Sequence, residues 1–428
     1  MRSLITPFIT RRWSSDAYHQ RLANAALKSE PTDLAQVFIS FNDPYSYLLL
    51  KGLETIQTHN HIRFDIHLIQ NPQADMFPEP KMWSEWAKQD AEHLASLYQF
   101  PLPAPLAEAD IIEATRYFMH ARPLSISEAL ALFEQDVTEN SKLSSQDIEQ
   151  YHQPDIEQFL ASEEQHLLDL GHYLPATVYY MGEFFWGLDR ISHFEARLLQ
   201  YDRAKVGHTS PIFTKSYEDF CRAPKHRIQD HDTPVELYFS MRSPYSHLAL
   251  HRCYQLCQHY DIPLVIKPVL PMLMRGLSVP KNKTQYIFFD TLRESKKLGI
   301  QYGNVADPLG QGVRNCYALW MLANEKQLGN EFMLAFSHAV NAKGITGNYH
   351  FGLKKICREV GLDWNEAKHA LKRTDWLPVV EDNIRAMYDK GFWGVPTIAY
   401  GSTWVWGQDR IWKIEQTLLA NAKQKANA

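Results

Sequence analysis

The first 220 residues contain no cysteine, and no CxxC pair occurs anywhere in the chain. The five cysteines, Cys221, Cys253, Cys257, Cys316 and Cys357, form an odd set without regular spacing. That excludes a disulfide-stapled scaffold and a dithiol redox centre, and suits a reducing compartment. Cys253 and Cys257 fall on one face of a predicted helix, where buried small hydrophobes are the simplest reading. The nineteen histidines form no HExxH pattern, so no metal is expected. No apolar run reaches the length of a bilayer span, and no membrane partner is expected. The opening MRSLITPFITRRWSSDAYHQ is broken by Arg11 and Arg12 and makes a poor secretory leader, so a cytoplasmic location is expected. A net charge of -5 argues against nucleic acid as a partner.

What remains is an ordinary globular composition, 45% hydrophobic and 22% charged. At 428 residues the chain is long for one core, so two domains are expected.

One stretch organises the rest. Val235, Leu237 and Phe239 alternate with Glu236 and Tyr238, a strand pattern that runs into Ser243–Pro244–Tyr245–Ser246 and a helical stretch. Ser before Pro starts a helix: the Ser oxygen caps a free N–H, and Pro at the first helical position has no N–H to leave unpaired. A strand ending at a helix N-terminus gathers N–H groups and the positive end of the helix dipole at one point. The stretch occurs twice. FISFNDPYSYLLL (38–50) matches YFSMRSPYSHLAL (238–250), with Pro44 and Pro244 standing 200 residues apart. GHYLPATVYYMGEFFWGLDRI (171–191) matches GFWGVPTIAYGSTWVWGQDRI (391–411). There the separation is 221 at Pro175 and Pro396 and 220 at Arg190 and Arg410, which places a one-residue slip in the hairpin between them.

Each copy reads strand, helix, strand, helices, then two strands and a helix. The predicted fold class is α/β: two tandem thioredoxin-like domains, each a mixed sheet with a helical insertion. The predicted boundaries are a polar extension over 1–34, a first domain over 35–203, a linker over 204–233, a second domain over 234–420 and a tail over 421–428. Long helical inserts are expected at 107–170 and 310–371.

Together, SPYSHLAL after a strand, Lys283 three residues before Tyr286, TLRESKKLGIQY, DPLG at 307–310, GVPT and WGQDR resemble the 2-hydroxychromene-2-carboxylate isomerases and the kappa-class glutathione transferases. Both belong to the DsbA-like branch of the thioredoxin superfamily. The resemblance covers the second repeat well and the first in outline. It implies glutathione as cofactor and a small-molecule substrate. By the same resemblance, Ser243 meets the glutathione sulfur, where relatives that do redox chemistry have cysteine. Val395, ahead of a cis Pro396, pairs its backbone with the ligand. Gln408 and Asp409 form the corner for the γ-glutamyl end, and Lys283 meets a carboxylate. The family often has an Asn shortly before that Lys in a TGN-like stretch; here the region reads PMLMRGLSVPKN, so the Asn of that stretch is missing or replaced.

The implied activity is a redox-neutral isomerisation of a conjugated keto acid. The alternatives are kappa-type transfer or peroxidase chemistry at the same site, and a non-catalytic scaffold. Read without the resemblance, Ser243 is a helix cap, Asp409–Arg410 an ion pair at a helix start, and Trp393, Trp404 and Trp406 core residues. In the first repeat Asp43 keeps the cap but cannot donate to a thiolate when ionised. Trp83 stands where Lys283 stands, Leu174–Pro175 keeps a candidate proline, and Leu188–Asp189 keeps the corner. The first domain therefore reads as a degenerate copy that pairs with the second within one chain.

Overall fold

A computed structural model describes residues 2–70, 78–135, 150–218, 220–221 and 233–426. Parts of the expected helical insert (136–149) and linker (222–232) lie outside the described residues.

Two four-stranded sheets are present among the described residues. The first is built from β1 (Leu34–Ile39), β2 (Arg63–Leu68), β3 (Thr177–Tyr180) and β4 (Glu183–Trp186), in the order β2-β1-β3-β4. The second is built from β5 (Val235–Phe239), β6 (Leu264–Pro268), β7 (Thr397–Tyr400) and β8 (Thr403–Trp406), in the order β6-β5-β7-β8. In each, the first pair is parallel and the other two antiparallel. One row of side chains crosses each sheet: Ile66, Val37, Val178 and Phe185 in the first, Ile266, Leu237, Ile398 and Val405 in the second. None of these eight is more than 4% exposed.

The opposite faces are also covered. Phe38 is fully buried against Ile69 and Leu167, and Tyr238 is buried beneath Trp404, with ring centroids 5.3 Å apart. The alternation seen in the sequence is therefore muted at its apolar ends, as expected when helices or aromatic side chains cover both faces.

The crossover helices Pro44–His59 and Pro244–Tyr260 start alike. Asp43 accepts the Ser46 N–H at 3.1 Å, and Ser243 accepts the Ser246 N–H at 3.2 Å. One turn later the Ser46 and Ser246 hydroxyls accept the backbone N–H of Ser40 and Ser240, which ties each helix to its strand.

The slip between the copies is not in the hairpin. Thr177 pairs with Trp186 and Thr397 with Trp406, so both hairpins are in register at a separation of 220 residues. Gly187 N–H donates to Ala176 C=O, as Gly407 N–H does to Pro396 C=O. The Thr177 and Thr397 hydroxyls donate to Leu174 and Gly394. Ala176, at φ +54, thus holds the place of Pro396, and Pro175 holds the place of Val395. Val395–Pro396 is cis, whereas Leu174–Pro175 is not among the cis bonds of the described residues.

The compact units are discontinuous. One comprises Met1–His19, Asp219–Val279 and Ile287–Ala428; the other comprises Gln20–Glu218 and Pro280–Tyr286. The extension, expected to be partly helical around Ala17–Leu27, comprises two helices, Asp16–Ser29 over that stretch and, beyond the expectation, Arg2–Trp13 before it. The helix Arg2–Trp13 is held to the unit of the second sheet by polar contacts that no apolar periodicity announces. The helix Trp376–Asp389 was also unexpected; its buried residues, Trp376, Val380 and Met387, make only a narrow stripe. No helix among the described residues is long and apolar enough to cross a membrane.

Candidate functional site

Ser243 follows the short turn after β5 and caps the helix Pro244–Tyr260 from extended backbone, at φ -82 and ψ 119. Its hydroxyl accepts from Ser246 N–H and donates to the Val395 carbonyl at 3.4 Å. That second bond is long, so its hydrogen is readily redirected to a better acceptor. Val395 is half-buried, and its N–H has no hydrogen-bond partner among the described residues. The structure therefore brings together Ser243, Val395 and the cis Pro396: a hydroxyl, a helix N-terminus and an unpaired backbone donor. Next to them Gly394 lets the Trp406 ring pack against the backbone, since a Cβ there would stand 2.7 Å from that ring.

Two arginines hold this arrangement, and the sequence reading gave neither a firm role. Arg242 donates from Nε and Nη2 to the Asp307 carboxylate at 3.0 and 3.3 Å. Asp307 opens the DPLG stretch and also accepts from Leu309 N–H, so the loop braces the residue before Ser243. Arg275 donates to the Trp393 carbonyl at 3.0 Å and to the Tyr388 hydroxyl at 2.6 Å. It thereby fixes the loop two residues before Val395. In sequence Arg242 adjoins Ser243, whereas Arg275 lies far from Val395 and carries no local signal.

The remaining predicted residues lie differently. Gln408 is fully buried; its amide accepts from Arg252 at 2.8 Å and donates to Glu294 at 3.1 Å and to Asp409 at 2.5 Å. Both amide hydrogens are committed within the protein, which makes Gln408 a bracket for the half-buried Asp409 carboxylate. Lys283 falls in the unit of the first sheet, where its ammonium stands over the Tyr173 ring, 5.8 Å from the centroid. In that unit Tyr286 packs edge-on against His172 at 4.5 Å. Lys283 and Ser243 thus fall in different compact units.

The corresponding place in the first unit has three differences. Asp43 stands for Ser243, and its carboxyl is pushed up to about 6 by burial, against hydrogen bonds from Ser46 that pull it down. Pro175 stands for Val395 and has no N–H to offer. Ala176 stands for Pro396.

The cysteines stand apart from this chemistry. Burial pushes the Cys253 thiol up to about 12 and the Cys357 thiol up to about 11. Such thiols are poor nucleophiles. No group of acidic, histidine or cysteine side chains that could hold a metal ion occurs among the described residues.

Residues 234–419 match the DSBA-like thioredoxin domain family, so the C-terminal half carries a thioredoxin-like domain of DsbA type. A 2-hydroxychromene-2-carboxylate isomerase from Pseudomonas putida is 22% identical over 201 residues, spanning 45% of this chain and 98% of the relative. A solved 2-hydroxychromene-2-carboxylate isomerase covers 45% of this chain and 98% of its own, at 22% identity and a TM-score of 0.40. A cytosolic disulfide reductase from Pseudomonas aeruginosa covers 46% of this chain and all of its own, at 15% identity and a TM-score of 0.37.

Proposed function

We propose that the second unit is a glutathione-dependent isomerase of the 2-hydroxychromene-2-carboxylate isomerase type, acting on a conjugated keto acid. The observation that carries this reading is the Ser243 hydroxyl at a helix N-terminus, directed at the residue before a cis proline. Support comes from the isomerase relative, which aligns with 45% of this chain over nearly its own full length.

The residues present fit glutathione at its thiol end and at Asp409, but not through the Gln408 side chain. Glutathione, when bound, supplies a thiolate that adds reversibly to a conjugated double bond. Ser243 would turn its hydrogen from the Val395 carbonyl onto the sulfur and, with the helix N-terminus, hold negative charge there. Val395 would offer its N–H to the ligand backbone, in the manner of strand addition. Arg242, held by Asp307, and Arg275, held by Tyr388, keep both sides of the site in place. Serine rather than cysteine at the helix start favours redox-neutral chemistry over disulfide exchange. Kappa-type transfer would use the same groups.

The two sheets share order, register and caps, and from these we infer a duplicated domain whose first copy has lost the chemistry. Asp43, Pro175 and Ala176 remove the hydroxyl donor, the backbone donor and the cis proline. A non-catalytic scaffold is the second reading, favoured by the commitment of Gln408 and the placement of Lys283.

Calorimetric titration of glutathione into the full chain and into Ser243→Ala, with the ultraviolet thiolate band followed, tests the proposal. Binding with a lowered thiol pKa, lost in Ser243→Ala, is the expected result. No binding at millimolar glutathione removes both glutathione-dependent readings and leaves the scaffold.

A further inference from the structure

The helix Arg2–Trp13 is packed with its polar side inward. Ser3 and Thr10 are each 4% exposed, while Leu4, Ile5, Phe8 and Ile9 are 41%, 53%, 79% and 44% exposed. An amphipathic helix on a globular domain normally does the opposite. The inward contacts are specific. The Ser3 and Thr346 hydroxyls are bonded at 3.0 Å, Thr10 Oγ1 accepts from Val305 N–H at 2.9 Å, and Ser14 Oγ donates to the Gly303 carbonyl at 2.7 Å. Trp13 packs edge-on against Phe288 at 5.6 Å, and Arg2 meets Asp307 at 2.9 Å. The helix is thus fixed to the unit of the second sheet by its hydroxyl groups, with its apolar stripe outward. Leu4, Ile5, Phe8 and Ile9 share one side because residues four apart on a helix lie one above the other.

The charges on this face have one sign. Residues 1–15 contain Arg2, Arg11 and Arg12 and no Asp or Glu, in a chain of net charge -5. Arg11 and Arg12 are exposed, lie in the last turn and make no ion pair among the described residues. Apolar side chains with arginine beside them, on a helix held flat to a domain, match the interface of an anionic bilayer. There the apolar side enters the acyl boundary and the guanidinium groups meet lipid phosphates. A second copy of the chain fits less well. A two-fold contact sets the same patch against itself, and every formal charge available on this patch is positive.

We propose that the face Leu4–Ile5–Phe8–Ile9, with Arg11 and Arg12, docks the protein on an anionic lipid surface. The expectation of no membrane partner rested on the absence of a spanning segment, which says nothing about a helix lying in the interface. Docking is independent of the glutathione chemistry, because none of these side chains belongs to the Ser243 site.

The test is co-flotation of the full chain with phosphatidylcholine vesicles containing one quarter phosphatidylglycerol, and with vesicles of phosphatidylcholine alone. The variants are Ile5→Ser/Phe8→Ser and Arg11→Gln/Arg12→Gln. Both leave Ser3, Thr10 and Ser14 in place, and circular dichroism of each checks that the fold is kept. Docking predicts binding to the anionic vesicles that weakens on the order of tenfold in either variant, and at high salt for the native chain. Binding to neither vesicle overturns the proposal, as does binding unchanged by Ile5→Ser/Phe8→Ser. Sedimentation showing a dimer that the double variant dissolves, without vesicle binding, overturns it in favour of a self-interface.

Discussion

Tyr245 donates its hydroxyl hydrogen to the Asp290 carboxylate across 2.7 Å, in a pocket that leaves Asp290 1% exposed. In the other unit Tyr45 donates to Asp90 across 2.8 Å, at the same separation of 45 residues. The pair clamps the start of the helix that Ser243 or Asp43 caps to the helix after the second strand of its sheet, Lys281–Leu298 or Pro80–Tyr98, so each unit holds its helix N-terminus by a buried hydrogen bond. Tyr245→Phe should lower stability by about 1–3 kcal/mol, because a buried carboxylate loses a donor. Urea unfolding measures it, and a midpoint unchanged from the native chain would count against the clamp.

Substitutions at Ser243 separate capping from chemistry. Ser243→Ala should cost about 0.5–2 kcal/mol, the usual cost of a lost cap. Ser243→Asp reproduces the Asp43 cap, since Asp and Ser cap equally well, and should lose stability at pH 7 only through the burial of its carboxyl that Asp43 shows in the other unit. It should nonetheless abolish glutathione binding, because the carboxylate repels a thiolate. Glutathione binding retained in Ser243→Asp would show that the hydroxyl is not what meets the sulfur.

Asp43 gives the first unit a pH dependence of definite sign. Its carboxyl sits at about 6 in the folded chain, above the ordinary value of 3.8. Between these two values the folded form holds a proton that the unfolded form has released. The stabilising contribution is therefore complete below the unfolded value and lost as pH rises through about 6. Asp43→Asn keeps a cap without charge and should stabilise the chain at pH 7 while removing this dependence. Urea midpoints at pH 5 and pH 7 check it.

Two histidines act in the opposite sense. His247, bonded to Ser337 at 2.8 Å and the Gln301 carbonyl at 2.9 Å, is held down to about 3 by burial. His251, with its ring 4.8 Å from that of His247, is held down to about 4, by burial first and His338 second. Below pH 6.5 the unfolded chain gains protons that the folded one refuses. Stability should fall with pH between 6.5 and 4, by about 1.4 kcal/mol per pH unit for each group. His251→Gln should reduce the slope by one such increment. An unaltered slope would place the titrating group elsewhere.

Much of the fold was legible in the sequence because its signals are local. Strand alternation, the Ser–Pro and Asp–Pro helix starts and the two matched segments fixed the order of elements and the position of Ser243. The same signals carried the likeness to a DsbA-type domain, borne out over 234–419. Composition likewise left no dithiol centre to consider. What the sequence left undecided depends on contacts between distant residues. Matching the prolines placed a slip in the hairpin, but strand register removes it and sets Ala176, not Pro175, in the place of Pro396, because backbone hydrogen bonds and not residue identity define equivalence. Gln408 read as a ligand contact until burial committed its amide to Arg252, Glu294 and Asp409. Lys283 read as part of the second copy until packing placed it over Tyr173. The helix Arg2–Trp13 read as a polar extension because hydroxyl bonds 289 to 343 residues away in the chain leave no periodic trace. Local chemistry wrote the elements and their caps. Tertiary packing chose which polar groups stay available to a ligand, because a buried donor takes whichever partner the folded chain brings to it.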